Sequence, residues 1–453
     1  MGFCWGWCCG GQYVTHRKFD TSGNELWTAD HGADVFALAT NGGAPIVVGG
    51  QMVIPDDDDE YDISLWNADG TQQALRLKFG NSVSALAVDA SGNIYAGGSK
   101  PVGMYVFNEG SGVFRLVGSG PATAGTFTLN YGGEITAPID WDATAAEVEA
   151  ELQSLSVIPA NGVSCTRGPL PDAGIRVEYT GGGMAPGLAV DSVASLTYPD
   201  QAILKKWNSS GTLQWIADGL SATYTPSNNP ANDHSETSVR DVRVDGSGNV
   251  LVATRVTVGG NNSVIKYNSS GTKVLDFAEV AGAGSQDHAK YAVFDGTDFV
   301  VFGSLRPPFA LSDLVKYDSS GNHYYTGRAI SSSLSGGGAR DSSGYHWIAN
   351  YSFGDPHLHL YDSDDGSRIF YEEHEDWTYS SNVAVDSNDN IAVVGRSTDG
   401  QNIRLFEFTN LAVPLTTLWT AGHGNGITAA SDAVDCEFDS SDNLYIGGYR
   451  VKE

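Results

Sequence analysis

Two short patterns alternate along this chain of 453 residues, and each reads as a β-hairpin. The first runs apolar-x-apolar-x-Asp-x-Ser-Gly-Asn-apolar-x-apolar-x-Gly. It is clear at Val83–Gly98 (VSALAVDASGNIYAGG), Val239–Thr254, Asn382–Arg396 and Ala433–Gly448, with degenerate copies at Val35–Gly50, Ala289–Gly303 and Leu334–Asn350. Alternating apolar residues on either side of an Asp/Ser/Gly/Asn turn define two antiparallel strands. The second pattern runs apolar-x-Lys-Tyr/Trp-Asn/Asp-x-Ser-Gly-x-x-x-Trp. Its clear copies are Ala202–Trp215, Ser263–Leu275, Asp313–Tyr325 and His357–Phe370, and a further copy, Thr15–Trp27, opens the series. Looser copies are Asp62–Leu75, Met104–Leu116 and Asn402–Trp419.

The first-pattern turn aspartates Asp245, Asp295, Asp341, Asp386 and Asp439 are 50, 46, 45 and 53 residues apart. Two hairpins in that span make one four-stranded blade, so the expected fold is all-β, a β-propeller. Seven first-pattern hairpins predict seven blades. Eight is the alternative, because two second-pattern hairpins lie between Val83–Gly98 and Val239–Thr254. The series opens with a second-pattern hairpin and ends with a first-pattern one, so the N- and C-terminal hairpins are expected to pair into one closing blade, which removes exposed sheet edges. The pair VDxSGNxYxxG and KYNSSGTxxW resembles the bacterial seven-bladed propeller repeat, with NHL-like and quinoprotein-like propellers as looser relatives. That resemblance implies fold and leaves function open.

Asp89 and Asp245 are 156 residues apart, about three repeats, so something is inserted. Gly125–Tyr131 and Gly174–Tyr179 read as strands. Between them Thr144 and Glu147 form a capping box ahead of an apolar stripe of Val148, Leu152 and Leu155, which predicts a helix. The expected division is an N-terminal aromatic and cysteine segment over 1–12, a propeller over 13–117 and 201–453, and a small inserted α+β module over 118–200. Three ordered segments, Ala122–Gly133, Asp142–Leu155 and Gly168–Gly182, resemble a module found in virion and tail-associated proteins of tailed bacteriophages and in some large bacterial surface proteins. The resemblance implies a structural or adhesive role and brings no catalytic residues.

Composition narrows the partners. Lys and Arg number 25 against 54 Asp and Glu, a net charge of −29. This excludes nucleic acid as a partner, because a phosphate backbone needs basic neutralisation, and it disfavours anionic lipid surfaces. No apolar run is long enough to insert in a membrane. Met1–Gly10 has neither the basic start nor the apolar stretch of a secretion signal, so export by that route is not expected. Five cysteines, three of them crowded at Cys4, Cys8 and Cys9, make no disulfide framework.

No catalytic motif is present, and no enzyme activity is expected. Asp56, Asp57, Asp58 and Asp59 form the densest acidic run. Such a loop can hold Ca²⁺, and no other cofactor is expected, but it lacks the alternating ligands and central Gly of an EF-hand, and a solvated loop is the plainer reading. The turn aspartates are expected to cap their own backbones rather than bind cations. His357 and His359 share a strand face, with His346 and His374 near in sequence; no third ligand is identifiable, and a stacked face without an ion is expected. Trp27, Trp66, Trp207, Trp215 and Trp419 recur at what look like equivalent blade positions, which predicts inter-blade packing. Trp141, Trp347 and Trp377 fall outside that series and are the candidates for exposed ligand-stacking platforms, with burial the competing reading. Tyr224 lies in a long polar loop of the kind that carries binding residues.

The expected function is a structural component of a bacteriophage virion, at the tail, baseplate or fibre, on the particle surface. Its expected partners are other virion structural proteins in an oligomeric assembly, and a host-surface glycan or protein. The alternatives are a propeller enzyme acting on envelope polysaccharide and an extracellular or cell-surface bacterial adhesion protein.

Overall fold

The computed structural model describes residues 13–43, 45–53, 61–79, 82–99, 103–110, 112–119, 125–170, 174–181, 187–192, 202–217, 238–256, 262–278, 287–304, 313–328, 336–352, 355–373, 377–397, 403–407, 415–422 and 433–452. They are mostly strand, with a single α-helix among them. The chain divides into two compact units. The first holds Met1–Gly98, Leu204–Ala217 and Ser238–Glu453; the second holds Ser99–Ile203 and Asp218–Thr237.

The first unit is a β-propeller of four-stranded antiparallel blades. It begins with the hairpin β1 (Tyr13–Phe19) and β2 (Glu25–Ala29). A whole blade follows: β3 (Val35–Thr40), β4 (Ile46–Val53), β5 (Tyr61–Trp66) and β6 (Gln72–Leu77). β7 (Ser82–Val88) and β8 (Ile94–Ser99) start the next blade, and the chain then leaves for the second unit. There lie β9 (Gly103–Gly110), β10 (Val113–Ser119), β11 (Thr126–Tyr131), β12 (Glu134–Ile135), β13 (Ile139–Asp140), α1 (Ala145–Gln153), β14 (Val163–Arg167), β15 (Ile175–Tyr179) and β16 (Leu188–Ser192). The interrupted blade resumes with β17 (Ala202–Trp207) and β18 (Leu213–Ala217), β17 pairing with β8.

Three blades follow, in each of which consecutive strands pair. They are β19 (Ser238–Val244), β20 (Val250–Val256), β21 (Asn262–Tyr267), β22 (Lys273–Ala278); β23 (Asp287–Asp295), β24 (Asp298–Ser304), β25 (Asp313–Tyr317), β26 (His323–Arg328); and β27 (Gly338–Arg340), β28 (His346–Ser352), β29 (Asp355–Tyr361), β30 (Arg368–Glu373). The fourth is β31 (Trp377–Val385), β32 (Ile391–Ser397), β33 (Ile403–Glu407) and β34 (Thr416–Ala421). The last hairpin, β35 (Ala433–Phe438) and β36 (Leu444–Lys452), makes a four-stranded sheet with the first, in the order β2-β1-β36-β35. Its register puts His16 opposite Gly447 and Phe19 opposite Leu444. Short bridges at Gln51–Ser82 and Arg255–His288 also link two pairs of neighbouring blades. The first strands of the blades touch in the order β35, β3, β7, β19, β23, β27, β31 and back to β35.

The repeated turns explain why these sequences fold into hairpins. Asp89 Oδ1 accepts the backbone N–H groups of Ser91 and Asn93, both at 2.9 Å. Its Oδ2 takes the Asn93 amide at 2.7 Å and the Tyr95 hydroxyl at 2.9 Å. Asp245, Asp386 and Asp439 hold the same backbone contacts in their own turns. The carboxylates cap the turn, as expected for Asp at its first position. The apolar residues of the flanking strands fill the spaces between blades, as where Tyr291, Val300, Phe302 and Leu314 meet Ile348 and Tyr361.

Met104–Leu116, expected as a looser second-pattern hairpin, is not part of a blade. It forms β9 and β10 of the second unit, in a sheet of order β14-β15-β10-β9, with Leu116 opposite Ile175. The hairpin pattern encodes pairing within the hairpin and says nothing about which sheet its outer edge joins. The second unit has a core of its own, in which Val148 and Leu152 of α1 pack with Phe127, Leu129, Val163 and Val177. Thr144 and Glu147 form the expected capping box.

The five periodic tryptophans occupy two positions. Trp66 and Trp207 end third strands and are buried, whereas Trp27, Trp215 and Trp419 lie on fourth strands. The fourth-strand indoles reach into the next blade's outer turn. Trp27 Nε1 donates to Ala68 O at 3.0 Å, Trp215 to Ser269 O at 3.2 Å and Trp419 to Thr21 O at 3.2 Å. Each ring covers a turn glycine at positive φ, namely Gly70, Gly271 and Gly23. A Cβ on Gly271 would stand 2.6 Å from the Trp215 ring, and its φ of +82° already disfavours a side chain. Lysines of the third strands reach the outer turn of the next blade as well: Lys18 Nζ donates to Ala68 O at 3.4 Å and Lys206 to Ser269 O at 3.2 Å, in two of the same turns, and Lys316 to Ser363 O at 3.1 Å in the turn between β29 and β30.

Gly271→Ala is expected to destabilise the propeller by about 1–3 kcal/mol, from the strained φ and the forced displacement of Trp215. Gly246→Ala, in the neighbouring turn with nothing within 4 Å of the added methyl, is expected to stay within about 0.5 kcal/mol of the parent. Urea unfolding of the two variants against the parent measures the difference.

Candidate functional site

Charged side chains collect on the first strands, the innermost of each blade. In β19, Asp241 and Arg243 stand four and two residues before the turn residue Asp245. In β35, Asp435 and Glu437 stand at the same places before Asp439. Strand alternation puts each pair on one face. Both aspartates point at the next blade: Asp241 Oδ2 accepts the Ala292 N–H at 3.0 Å, and Asp435 Oδ2 accepts the Leu38 N–H at 2.7 Å. The other Asp435 oxygen accepts Cys436 N–H at 2.9 Å and the Asn382 side-chain amide of the preceding blade. Asn382 in turn stands where a Cβ on Gly337 would come within 2.1 Å of its Oδ1.

Arg243 is the cation of the cluster. Its Nε lies 3.1 Å from Asp241 Oδ1, a second guanidinium nitrogen reaches Gly338 O at 3.4 Å, and the group sits 5.7 Å from the centroid of the Tyr291 ring. Burial pushes Glu437 up to about 8; Arg243 opposes the rise and Asp435 adds to it. Asp435 is pushed up to about 6 by burial, against the Leu38 N–H, Asn382 and Arg243. Near neutral pH Glu437 therefore keeps its proton while Asp435, on the same strand, is ionised, and the Arg243 guanidinium stands on the first strand three blades further on. The cluster can store a proton and anchor strands, and both aspartates are engaged by backbone N–H groups of the following blade.

A second set of contacts joins the turns beside these strands. Ser342 donates through N (2.8 Å) and Oγ (2.5 Å) to the Asp389 carboxylate, and Ser387 through N (2.9 Å) and Oγ (2.7 Å) to that of Asp442. Ser440 donates through N at 2.9 Å, and through its hydroxyl, to Gly42 O. Asp389 and Asp442 have φ of +62° and +59°, where the Asp89, Asp245 and Asp341 turns have Gly. Their carboxylates offset the strain by holding the preceding blade's serine.

The expected site residues fall as follows. Asp56, Asp57, Asp58 and Asp59 lie outside the described residues, as do Tyr224 and His374. Trp347 is fully buried; its Nε1 donates to Asp341 Oδ2 at 3.0 Å and its ring meets Phe370 edge-on. It takes the place that Tyr95 and Tyr445 hold against Asp89 and Asp439, six residues after the turn aspartate. Trp377 is also buried, under the Arg404 guanidinium. Neither is an exposed platform, because both rings fill blade cores. His359 is buried between the rings of Tyr361 and Tyr371, in the expected stacked arrangement. His346 is buried, and burial lowers it to about 4, so it is neutral. Among the described residues no group of three His, Cys, Asp or Glu is set to hold a metal ion, and no helix is long and apolar enough to cross a membrane.

One buried pair has a catalytic look but no sequence motif to mark it. His31 Nδ1 lies 2.7 Å from Ser64 Oγ. Both residues are fully buried, and the hydroxyl also accepts the Trp66 indole N–H at 2.7 Å. The His31 backbone is tied to Thr15 and its carbonyl to the Tyr61 hydroxyl. This network joins β1 to β5 and offers no route to a substrate.

No family model matches the chain, and no curated protein matches it. Solved structures similar to it include the Dos1 propeller, at 10% identity and a TM-score of 0.45, over 97% of this chain and 98% of that one. A protein of unknown function from Bacteroides caccae is similar at 9% identity and a TM-score of 0.35, over 55% of this chain and 90% of that one. A gluconolactonase from Xanthomonas campestris is similar at 13% identity and a TM-score of 0.35, over 54% of this chain and 75% of that one.

The sign of the pH effect at Glu437 follows from its raised value. Between the ordinary carboxyl range and about 8 the folded chain keeps a proton that the unfolded chain releases, so stability falls as pH rises through that window. Glu437→Gln is expected to flatten this slope. The variant should gain on the parent from pH 5 to about 8 and level off above it, as read by thermal unfolding across pH 5 to 9.

Proposed function

We propose that the chain is a seven-bladed propeller closed by the pairing of its N- and C-terminal hairpins, and that it acts as a scaffold rather than as an enzyme. The observation that carries the reading is the use made of the polar groups of its first strands and of the turns that follow them. Asp241, Asp435, Asn382, Asp389 and Asp442 each hold a group of an adjoining blade. The cyclic contact of the first strands supports closure, and the assignment of Met104–Leu116 to the second unit supports seven blades over eight. The second unit, with a core of its own, is a module displayed from between β8 and β17.

The scaffold is best placed in the virion of a tailed phage, at the tail, baseplate or fibre, with other virion proteins as partners and a host-surface glycan or protein as the attachment target. Support for that placement comes from the resemblance of the three module segments, and the −29 charge suits a particle surface that must stay dispersed. The test is protein composition of purified particles from a lysate that expresses the chain. Co-purification at a fixed copy number is expected, and absence from infectious particles contradicts the placement.

Glu437 and Asp435 favour a second reading, since two carboxyls with separated proton affinities can serve as acid and base on a glycosidic bond. Under that reading Glu437→Gln abolishes release of reducing ends from host polysaccharide. Under the scaffold reading the parent protein itself releases none.

A further inference from the structure

The turn between β3 and β4 holds an Asn-Gly pair, Asn41–Gly42, whose chemistry bears on the joint between two blades. Gly42 has φ of +91°, Asn41 is exposed, and an added Cβ on the following Gly43 would meet nothing within 4 Å. The turn is pinned by Thr40 and Gly43, whose N–H donates to Thr40 Oγ1 at 3.1 Å while the hydroxyl donates back to Gly43 O at 3.1 Å. Neither the Asn41 carboxamide nor the Gly42 N–H is among the hydrogen bonds of the described residues. A glycine nitrogen with no side chain beside it can reach the preceding carboxamide carbon.

The second unit supplies an internal contrast in Asn161–Gly162, also exposed at Asn161. There the Gly162 N–H donates to Pro159 O at 2.7 Å and its carbonyl accepts Thr180 N–H at 2.8 Å. Thr180 Oγ1 also holds Asn161 O at 2.8 Å. That nitrogen is engaged and its backbone is clamped from both sides.

We propose that Asn41 is a site of spontaneous deamidation and isoaspartate formation in the folded protein, and that the change loosens the joint between the blade made from the chain ends and the β3 blade. The Gly42 nitrogen bonds to the Asn41 side-chain carbonyl carbon and its proton passes to water. The bond from that carbon to the side-chain nitrogen breaks and ammonia leaves. Water then opens the succinimide at one carbonyl or the other, giving aspartate or isoaspartate. Isoaspartate routes the main chain through the side-chain carbon, adding one carbon to the turn. That displaces Gly42 O, the acceptor for both the backbone N–H and the hydroxyl of Ser440.

The test is to age the folded protein at pH 8.5 and 37 °C and to map the Asn41–Gly42 and Asn161–Gly162 peptides by mass spectrometry, with isoaspartyl methyltransferase labelling to tell isoaspartate from aspartate; the third Asn-Gly pair, Asn425–Gly426, lies outside the described residues and is followed as a separate peptide. The peptide holding Asn41 is expected to gain about 1 Da and to label. The peptide holding Asn161 is expected to change at least about tenfold more slowly, since its N–H reacts only through local opening. In denaturant the two rates should converge. The aged parent should melt at a lower temperature than fresh protein, and Asn41→Gln, aged alike, should keep its melting temperature. Equal or faster modification of Asn161 in the folded protein overturns the proposal. So does an Asn41 that stays intact when folded, or a modified parent that melts unchanged.

Discussion

The blade built from the two ends of the chain is the constraint on which the first unit depends. Every other blade is a run of consecutive strands or, around the insertion, two hairpins in chain order. Here β1 must find β36, at the opposite end of the chain, and the loop-closure entropy of that pairing is recovered only once the sheet has formed. Polar contacts gather on both flanks of this blade. On one side Trp419 reaches Thr21, Asn382 reaches Asp435 and Ser387 reaches Asp442. On the other Asp435 takes the Leu38 N–H, Ser440 reaches Gly42, and Lys18 and Trp27 share the Ala68 carbonyl. Lys18 also pairs with Asp439 at 3.4 Å, tying the two hairpins together inside the blade.

These contacts share a physical logic. An aspartate in the left-handed region costs backbone strain, which a Gly avoids. At 389 and 442 the strain is offset by two hydrogen bonds to a serine across a joint. Four residues before the turn other repeats have Ala85 or Tyr291, and the carboxyls of Asp241 and Asp435 stand there where a backbone N–H of the next blade needs an acceptor. Burial with partial pairing is what lifts Asp435 and Glu437, so the proton affinity of the cluster is a by-product of holding strands together.

Much of the fold was legible in the sequence because the turn chemistry is local. An Asp that caps the N–H groups two and four residues on writes its hairpin into a short motif, and Thr144 and Glu147 do the same for α1. Which sheet a hairpin joins is set by long-range register, which is why Met104–Leu116 read as a blade hairpin and lies in the second unit. The same limit applied to the site. Trp347 looked unplaced because it stands where Tyr95 and Tyr445 stand, with an indole in place of a phenol. The inner carboxylates were invisible because their partners are main-chain groups of other blades, with no sequence signature of their own. The aspartate run at 56–59 stays outside the described residues, and its Ca²⁺ reading stands as a proposal.

Hydrogen–deuterium exchange of the native protein tests closure by the chain ends most directly. The account predicts that the amides of β1 from His16 to Phe19 and of β36 from Leu444 to Gly447 exchange as slowly as those of β20 and β24 in uninterrupted blades, opening only with the whole propeller. Fast exchange confined to β1 and β36, with the other blades still protected, would contradict it.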